Sequence, residues 1–311
     1  MTDARDMVGY GRRQPRVRWP GDARVAVNLH VNYEAGAEYT SQQDGRNEPV
    51  GEFPVGLEGS IPDRATQSTF EYESRAGFWR VVRIFEQYGV SATVNACAVA
   101  LERNPDVAGY LRHSPHEISC HGWRWEELWT LDRDQERDHL QRAVASIEQS
   151  CGRRPVGWCS RLMQSQHTRE LLVEQGGFLY DSDALNDDLP YTVAVGGGEH
   201  LVMPLSFTYN DGRFVLGGAD DPVAFGNYLR LGLDELWREG ETSPKLMTIS
   251  LHPRWIGQAA RAAALRAFLE HALEKGNVWI ARRDEIARWW LDHVDGFGTV
   301  DAATGAEGAI L

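Results

Sequence analysis

The chain contains 311 residues, of which 42% are hydrophobic, so it can bury one large core. Its formal net charge of −13 argues against binding to nucleic acid or to an anionic membrane surface, because both carry negative charge themselves. No apolar run approaches the roughly 18 residues that cross a membrane, residues 1–19 lack the apolar centre of a signal peptide, and the cysteines show no C-x-x-C spacing, which together predict a cytoplasmic protein.

Strand-like and helix-like segments alternate along the chain from residue 24 onward. Apolar, β-branched runs predict strands, and apolar residues spaced three and four apart predict helices. The predicted strands cover residues 24–34, 91–97, 118–120, 155–161, 178–183, 201–207, 245–253 and 278–280. The predicted helices cover residues 74–88, 105–112, 132–149, 168–174, 221–239, 259–274 and 284–293. This alternation is typical of a parallel α/β barrel.

Three stretches lie outside the alternation. Residues 1–22 are rich in Arg, Gly and Pro, and we expect them to wrap the outside of the barrel. Residues 35–69 show no periodicity, and a loop of that length is usually a lid, a binding loop or an oligomer contact. Residues 297–311 are rich in Gly, Ala and Thr, which is typical of a disordered tail. We therefore expect a single barrel domain over residues 1–296, followed by a tail.

The stretch 118–125, with the sequence Ile-Ser-Cys-His-Gly-Trp-Arg-Trp, is the centre of the predicted site. A short buried strand ends there in a polar, aromatic loop, and barrels carry their chemistry at the C-terminal ends of their strands. Gly122 allows the sharp turn that exposes the imidazole of His121. The alternative is that His121 is a core histidine, hydrogen-bonded without any role in a site.

Chemically able side chains also follow the ends of other predicted strands. Because the C-terminal ends of parallel strands meet at one mouth of a barrel, we expect these side chains to converge. Each has a structural alternative: a loop carboxylate, a salt-bridged arginine, a turn residue or a histidine that caps a helix. Their convergence favours a functional site. The converging residues are Glu34, His121, Arg161, Asp183 and His252.

Asn32 and Glu71 are further candidates for contact with a substrate. Asn32 and Glu34 are two residues apart in the first strand, so their side chains project to the same side. Glu71 lies just before the helix that begins near Ser74, where it either serves the site or pairs with Arg75. The sequence leaves both possibilities for Glu71 open.

Short motifs of a recognisable kind are spread over almost the whole chain, at residues 9–12, 19–21, 32–34, 71–72, 74–80, 120–122, 124–125, 157–158, 176–181, 187–190 and 281–283. The order of these motifs resembles that of the polysaccharide deacetylase (NodB homology) superfamily, and most closely its branch of PuuE-type allantoinases and cyclic imide hydrolases. The resemblance implies a distorted (β/α)7 barrel, hydrolysis of a non-peptide C–N amide bond and, as is usual in related enzymes, a homo-oligomer.

The resemblance also allows the metal-binding positions of the superfamily to be compared with this sequence. Deacetylases of the superfamily hold a divalent ion with one aspartate and two histidines spaced i and i+4, and a second aspartate acts as general base. Here Glu34, His121 and Trp125 stand at the metal positions, and Asn32 stands at the position of the base. Tryptophan cannot coordinate a cation, so fewer ligands remain than the three of a catalytic zinc site. We expect a site without metal, with a zinc ion held by Glu34, His121 and a ligand from elsewhere as the alternative.

Without a metal to generate hydroxide, Glu34 is the candidate to deprotonate water, provided that burial raises its pKa toward neutrality. His121 and His252 would polarise the substrate carbonyl or protonate the leaving nitrogen. Arg161 would stabilise the oxyanion of the tetrahedral intermediate. These four residues are the predicted catalytic set.

The substrate is predicted only as a class. Leu162 and Met163 in the loop after the fourth strand, and Trp255 beside His252, favour a flatter or more apolar molecule than allantoin, although each could equally serve packing. We therefore expect a cyclic imide, a hydantoin or a lactam-like ring, with allantoin as the second candidate. The predicted substrate-binding residues are Asn32, Glu71, Trp125, Asp183 and Trp255.

Two other functions remain open at this point. One is a metal-dependent carbohydrate N-deacetylase, which the tryptophan at position 125 disfavours. The other is a barrel that has lost catalysis and binds a ring compound or a partner protein. The number of titratable side chains at one mouth disfavours a pure binder.

Overall fold

Seven parallel strands curl into a barrel in the computed structural model, which describes residues 5–48, 57–216, 221–301 and 307–310. The strands are β1 (Arg13–Arg16), β2 (Val25–Tyr33), β3 (Thr93–Ala96), β4 (Glu117–Cys120), β5 (Gly157–Trp158), β6 (Tyr180–Asp181), β7 (Tyr191–Val195), β8 (Gly198–Val202), β9 (Lys245–Leu251), β10 (Val278–Ile280), β11 (Gly298–Asp301) and β12 (Glu307–Ile310). The helices are α1 (Ser41–Asp44), α2 (Arg64–Tyr72), α3 (Phe78–Tyr88), α4 (Ala98–Arg103), α5 (Pro105–His113), α6 (Arg133–Cys151), α7 (Thr168–Gln175), α8 (Asp211–Leu216), α9 (Pro222–Glu239), α10 (Pro253–Ile256), α11 (Ala259–Lys275) and α12 (Arg283–His293). A π-helix, Glu73–Gly77, joins α2 to α3.

The parallel ladder runs from β9 through β2, β3, β4, β5 and β6 to β8. The short strand β10 pairs with the start of β2, and β7 pairs antiparallel with β8 in a hairpin. The predicted distorted (β/α)7 barrel is confirmed. The hairpin strand β7 was absent from the predicted elements, and β8 begins at Gly198 instead of residue 201.

Polar and apolar side chains alternate along β2, although the whole strand is buried. Asn28, His30 and Asn32 share one face, while Leu29 and Val31 belong to the large apolar core that also contains the helices. The polar residues of β2 stand in register beside Thr93 and Asn95 of β3 and beside Thr248 and Ser250 of β9. The inside of the barrel is therefore polar, and its outer surface is apolar beneath the helices.

The barrel is closed less regularly between β8 and β9. No ladder joins these two strands in the described residues, but the backbone N–H of Ser250 donates to the carbonyl of Tyr209 at 2.9 Å, and Asn210 forms a parallel bridge with Ser250. The chain after β8 thus completes the wall. This break positions α8, which follows directly, at the C-terminal mouth of the barrel.

The two ends of the chain cover the opposite mouth. β1 pairs antiparallel with β11, and β11 pairs with β12. Trp19 is buried, and its indole N–H donates to the carbonyl of Lys245 at the start of β9. The prediction of a disordered tail is wrong for residues 298–301, which pair with the N-terminal arm, and for residues 307–310, which pair with residues 298–301. Residues 302–306 and 311 lie outside the described residues.

The segment 35–69 contains more regular structure than its composition predicts. α1 lies within it, and α2 begins at Arg64 because the carboxylate of Asp63 accepts the backbone N–H of Thr66 and caps the helix. The predicted loop therefore ends at residue 63, and residues 49–56 lie outside the described part. None of the helices in the described ranges combines the length and the apolar character needed to cross a bilayer.

Candidate active site

A cavity of about 650 Å³ opens at the C-terminal mouth of the barrel. Trp125 reaches it from the loop after β4, and His252 reaches it from the end of β9. α8 and the first turn of α10 supply much of the remaining wall. The lining residues are Trp125, Leu162, Phe207, Thr208, Asn210, Gly212, Arg213, Phe214, Leu216, Tyr228, His252, Arg254 and Trp255.

Two buried carboxylates share one buried guanidinium beside this cavity. The Nη1 nitrogen of Arg254 donates to Oε2 of Glu34 at 2.5 Å and to Oε2 of Glu73 at 3.2 Å. Oε1 of Glu73 also accepts the backbone N–H groups of Glu34, at 2.6 Å, and of Ala35, at 3.1 Å. The Nη2 nitrogen of Arg254 is buried and has no hydrogen-bond partner in the described residues. Arg254 therefore carries a donor nitrogen that the described residues leave unpaired.

The π-helix brings Glu73 to this guanidinium. A π-helix inserts an extra residue into a turn and so redirects side chains, and such insertions are frequent at functional sites. Gly77 lets this turn pack closely on α10, since a Cβ atom there would lie 2.1 Å from the carbonyl oxygen of Pro253. This packing places Glu73 and Arg254 within contact of each other.

The two carboxylates differ in their acidity. Burial alone would raise the pKa of Glu34, but the positive charge of Arg254 and the imidazoles of His252 and His121 outweigh it and hold this pKa well below its ordinary value. Burial, together with the negative charge of Glu34, raises the pKa of Glu73 to about 7 although Arg254 opposes the rise. The condition for Glu34 to act as the general base, a pKa raised toward neutrality, is therefore not met. Glu34 is an ionised carboxylate at neutral pH.

His252 lines the cavity and is held by the carboxylate of Asp211. Its Nδ1 lies 2.7 Å from Oδ1 of Asp211, and its backbone N–H donates to Oδ2 of the same residue at 2.8 Å. Its Nε2 lies 3.4 Å from Nδ2 of Asn32 and 3.7 Å from Oε1 of Glu34. The carboxylate of Asp211 places the ring proton on Nδ1, so Nε2 carries the lone pair that can accept a proton.

His121 lies deeper than His252 and contacts the same carboxylate. Its Nδ1 donates to the carbonyl of Cys159 at 2.5 Å, and its Nε2 lies 3.3 Å from Oε1 of Glu34. It is buried and does not belong to the cavity lining. The structure thus brings Glu34, His121 and His252 together, with Glu34 between the two imidazoles.

The donor set around Glu34 does not fit a metal ion. A permanent cation, the guanidinium of Arg254, already neutralises the carboxylate, and Trp125 offers no donor atom. Within residues 5–48, 57–216, 221–301 and 307–310, no group of three or more His, Cys, Asp or Glu side chains is arranged to hold a metal ion. We derive no chemical step through a metal.

Arg161, the residue predicted to stabilise the oxyanion, is not among the described residues that line the cavity. Its guanidinium forms a bidentate ion pair with Glu48, at 2.5 and 3.1 Å, and donates to the carbonyl of Trp125 at 2.7 Å. It stacks over the Trp125 ring, 3.9 Å from the ring centroid. Through these contacts, Arg161 holds the loop that carries Trp125 in place.

Asp183 and Glu71 also lie outside the cavity lining. Asp183 accepts the backbone N–H and the hydroxyl of Ser160, at 2.7 and 2.6 Å, which fixes the chain after β5. Glu71 is exposed on α2, while Glu73, two residues later, is buried. Neither residue is placed to contact a molecule in the cavity. The cavity is lined by three of the predicted residues, Trp125, Trp255 and His252. Asn32 is not among the lining residues, but its side chain contacts the imidazole of His252.

Sequence reasoning missed Arg254, Glu73 and Asp211. Arg254 stands two residues after His252, beyond the end of β9, so its position after a strand was a usable signal. Glu73 and Asp211 gave no such signal, because their inward orientation depends on a π-helix and on the irregular closure of the barrel.

Known proteins resemble this chain over nearly its whole length. The sequence model of the polysaccharide deacetylase family matches residues 59–178. A Schizosaccharomyces pombe protein, provisionally named a polysaccharide deacetylase, is 32% identical over 93% of this chain and 98% of its own length.

Two solved structures share the fold closely. A probable polysaccharide deacetylase from Pseudomonas aeruginosa PAO1 is 40% identical, with a TM-score of 0.88 over 93% of this chain and 98% of that one. PuuE allantoinase is 38% identical, with a TM-score of 0.87 over 94% of this chain and 98% of that one. The chain therefore belongs to the polysaccharide deacetylase (NodB homology) family of hydrolases, with PuuE allantoinase among its near structural relatives.

Proposed function

We propose that this protein is a hydrolase that adds water to a C–N bond of a small cyclic amide, such as an imide, a hydantoin or a lactam-like ring. The observation that carries the proposal is the arrangement at the cavity floor. His252, oriented by Asp211, and the unpartnered Nη2 of Arg254 belong to residues that line one cavity. A proton acceptor and an oxyanion donor are the two groups that amide hydrolysis needs most.

His252 would carry the proton. Its Nε2 takes a proton from water as the water oxygen bonds to the ring carbonyl carbon, and the carbonyl oxygen becomes an oxyanion. When the C–N bond breaks, the same proton passes to the leaving nitrogen, and His252 is neutral again. The carboxylates of Asp211 and Glu34 stabilise the imidazolium between these two steps.

Arg254 would stabilise the oxyanion in place of Arg161. Its Nη1 is bound by Glu34 and Glu73, which fixes the guanidinium, and its Nη2 is left to donate to the substrate oxygen. A donor that is already oriented costs no reorganisation during the reaction. Glu34 then acts as a fixed negative charge, because its lowered pKa makes it a weak proton acceptor.

The walls of the cavity support a flat substrate. Trp125 and Trp255 are both buried and both line the floor, and the Trp255 ring lies 4.8 Å from the imidazole of His252, centroid to centroid. Aromatic faces stack on planar rings. The likeness to PuuE allantoinase supports allantoin as the second candidate substrate.

A ring-opening screen tests the proposal. Purified protein is incubated with hydantoin, succinimide, dihydrouracil and allantoin, and the ring-opened acids are measured by chromatography. We expect ring opening of at least one compound by the wild type and its loss in His252→Asn, which excludes a contaminating enzyme. Ring opening that persists unchanged in that variant, or that occurs with none of the compounds, would contradict the proposal.

The family membership supports one competing function, a carbohydrate N-deacetylase. Release of acetate from N-acetylglucosamine oligomers, lost with a chelator and restored by zinc, would identify it. For the proposed cyclic amide hydrolase we expect a rate that is insensitive to the chelator, since the charge beside Glu34 comes from Arg254.

A further inference from the structure

We propose that the outer half of the cavity is a subsite for an apolar aryl or alkyl substituent on the substrate ring. The inference rests on the proposed function and narrows its substrate class. It would place ring-substituted cyclic amides, such as 5-benzylhydantoin, ahead of the unsubstituted rings and ahead of allantoin, which carries a polar ureido group at the same position.

The cavity changes character from floor to mouth. Its floor residues His252, Arg254 and Trp255 are buried, whereas large apolar side chains at its mouth are open to solvent. We call the latter the apolar rim, and it consists of Leu162, Phe207, Leu216 and Tyr228. Exposed apolar side chains that surround a concave site usually mark a surface that a ligand covers.

The size of the cavity also exceeds what a bare ring needs. About 650 Å³ lies in the middle of the range of roughly 300–1,000 Å³ that holds drug-sized ligands, and a five-membered cyclic amide is much smaller than that. If the substrate ring stacks on Trp255 at the floor, the space between the ring and the apolar rim can hold a substituent of that ring.

The backbone of Leu162 adopts a conformation that is unfavourable for leucine. Its φ of +59° lies in the left-handed region, where a side chain is disfavoured and glycine would fit without cost. The backbone N–H of Met163 donates to the carbonyl of Arg161 at 2.6 Å and closes the turn around Leu162. The buried pair of Arg161 with Glu48 anchors this turn. Such strain is typical of segments that contact a ligand. We therefore attribute the exposed position of the Leu162 side chain to contact with the substrate.

The charge of the cavity restricts the substituent further. Arg213 and Arg254 are the permanently charged residues among the described lining residues, and Arg213 lies over the Phe207 ring, 4.7 Å from its centroid. Arg254 is already paired with Glu34, and the guanidinium of Arg213 beside the Phe207 ring repels a further cation. We therefore expect neutral apolar substituents to be accepted and amines of similar length to be rejected.

The test compares substrates that share a ring. kcat/KM is measured for hydantoin, 5-benzylhydantoin, 5-(4-aminobutyl)hydantoin and allantoin, and for succinimide against phenylsuccinimide. We expect the apolar-substituted member of each pair to be preferred by about tenfold or more, because even one buried methylene group changes specificity by that order. The aminobutyl compound should fall below 5-benzylhydantoin.

Leu162→Ala should reduce this preference several-fold, because it removes rim contacts but keeps the same backbone strain. The matched control is Leu231→Ala on α9: Leu231 is 68% exposed, against 67% for Leu162, and lies outside the cavity lining. The control should preserve the preference. Equal kcat/KM within both substrate pairs, or a preference equally strong in Leu162→Ala, would overturn the subsite and leave the proposed hydrolase intact.

Binding measurements test the subsite in the case where the proposed hydrolysis is not observed. If no compound is hydrolysed, quenching of tryptophan fluorescence is measured with hydantoin and with 5-benzylhydantoin. Tighter binding of the benzyl compound that weakens in Leu162→Ala would support the subsite while the proposed reaction fails. Equal binding of both compounds would overturn the subsite as well.

Discussion

Two buried arginines lie over the same tryptophan ring and do different things. The guanidinium carbon of Arg161 is 3.9 Å from the centroid of Trp125, and that of Arg254 is 5.3 Å from it. Both arginines form ion pairs with buried carboxylates. By residue type, burial and stacking they are nearly equivalent, yet Arg254 lines the cavity and Arg161 does not.

Their hydrogen bonds account for the difference. Both Nη atoms of Arg161 are engaged by Glu48, and Nη1 also meets a backbone carbonyl. In Arg254 a single nitrogen meets both Glu34 and Glu73, so Nη2 remains without a partner in the described residues. Nε of Arg161 also lacks a partner in the described residues, but Arg161 does not line the cavity. A guanidinium whose two Nη nitrogens are both bound stabilises the fold, and one with an unpartnered Nη in a cavity-lining residue can also bind a substrate. The following variants test this comparison.

The largest effect should be the loss of stability in Arg161→Met. Removing the guanidinium breaks the buried bidentate ion pair with Glu48, and breaking a buried ion pair typically costs about 3–5 kcal/mol of unfolding free energy. Urea unfolding measures the loss, and kcat should fall by a smaller factor than in the Arg254 variant. The double variant with Glu48→Gln should recover part of the stability, because it removes the buried negative charge that the guanidinium of Arg161 had balanced. A stable Arg161→Met protein with greatly reduced kcat would reverse the roles of the two arginines.

Arg254→Lys should reduce kcat by about 10²–10³, the usual effect of removing one oxyanion donor. Lysine keeps the positive charge beside Glu34 but cannot present two fixed nitrogen donors. Steady-state kinetics on a cyclic amide substrate, with unfolding measured in parallel, would show a large change in rate and a smaller change in stability than Arg161→Met causes. Wild-type kcat in this variant would remove Arg254 from the mechanism.

Glu73→Gln should change how stability depends on pH. The pKa of Glu73 in the folded protein, about 7, lies above its ordinary value of 4.5, so its protonated form stabilises the fold below pH 4.5 and this contribution is lost as the pH rises to 7. Glutamine stays neutral, so the variant should gain stability relative to wild type over this window, by at most a few kcal/mol since one pKa unit is about 1.4 kcal/mol. The exposed Glu71→Gln is the control and should show a much smaller pH-dependent difference.

Asp211→Asn should give the smallest effect, a fall in kcat of about 10–100-fold, as is typical when the partner that orients a histidine is removed. The amide can still contact Nδ1 of His252 but no longer fixes its proton there or stabilises the imidazolium. The pH profile of kcat should also shift, which a purely structural contact would not cause. An unchanged profile would show that His252 acts without Asp211.

The sequence by itself determined the strand order and the strand-end positions of Glu34, His121 and His252. Continuous apolar runs and their alternation with polar residues are local signals, and the ends of parallel strands must meet at one mouth. The barrel was predicted on these grounds, the family was predicted from the resemblance of its motifs, and both predictions are confirmed. The catalytic roles of the site residues stay predictions.

Only the tertiary structure decided which arginine faces the cavity and which carboxylates surround it. Arg254 meets Glu34 across 220 positions of sequence, and Arg161 meets Glu48 across 113. The surroundings of these pairs depend on a π-helix, a strained turn and an irregular closure of the barrel. The sequence pattern of a single segment predicts none of these three features. A pKa follows from such neighbours, and so the acidity of Glu34 could not be predicted from its place at the end of a strand.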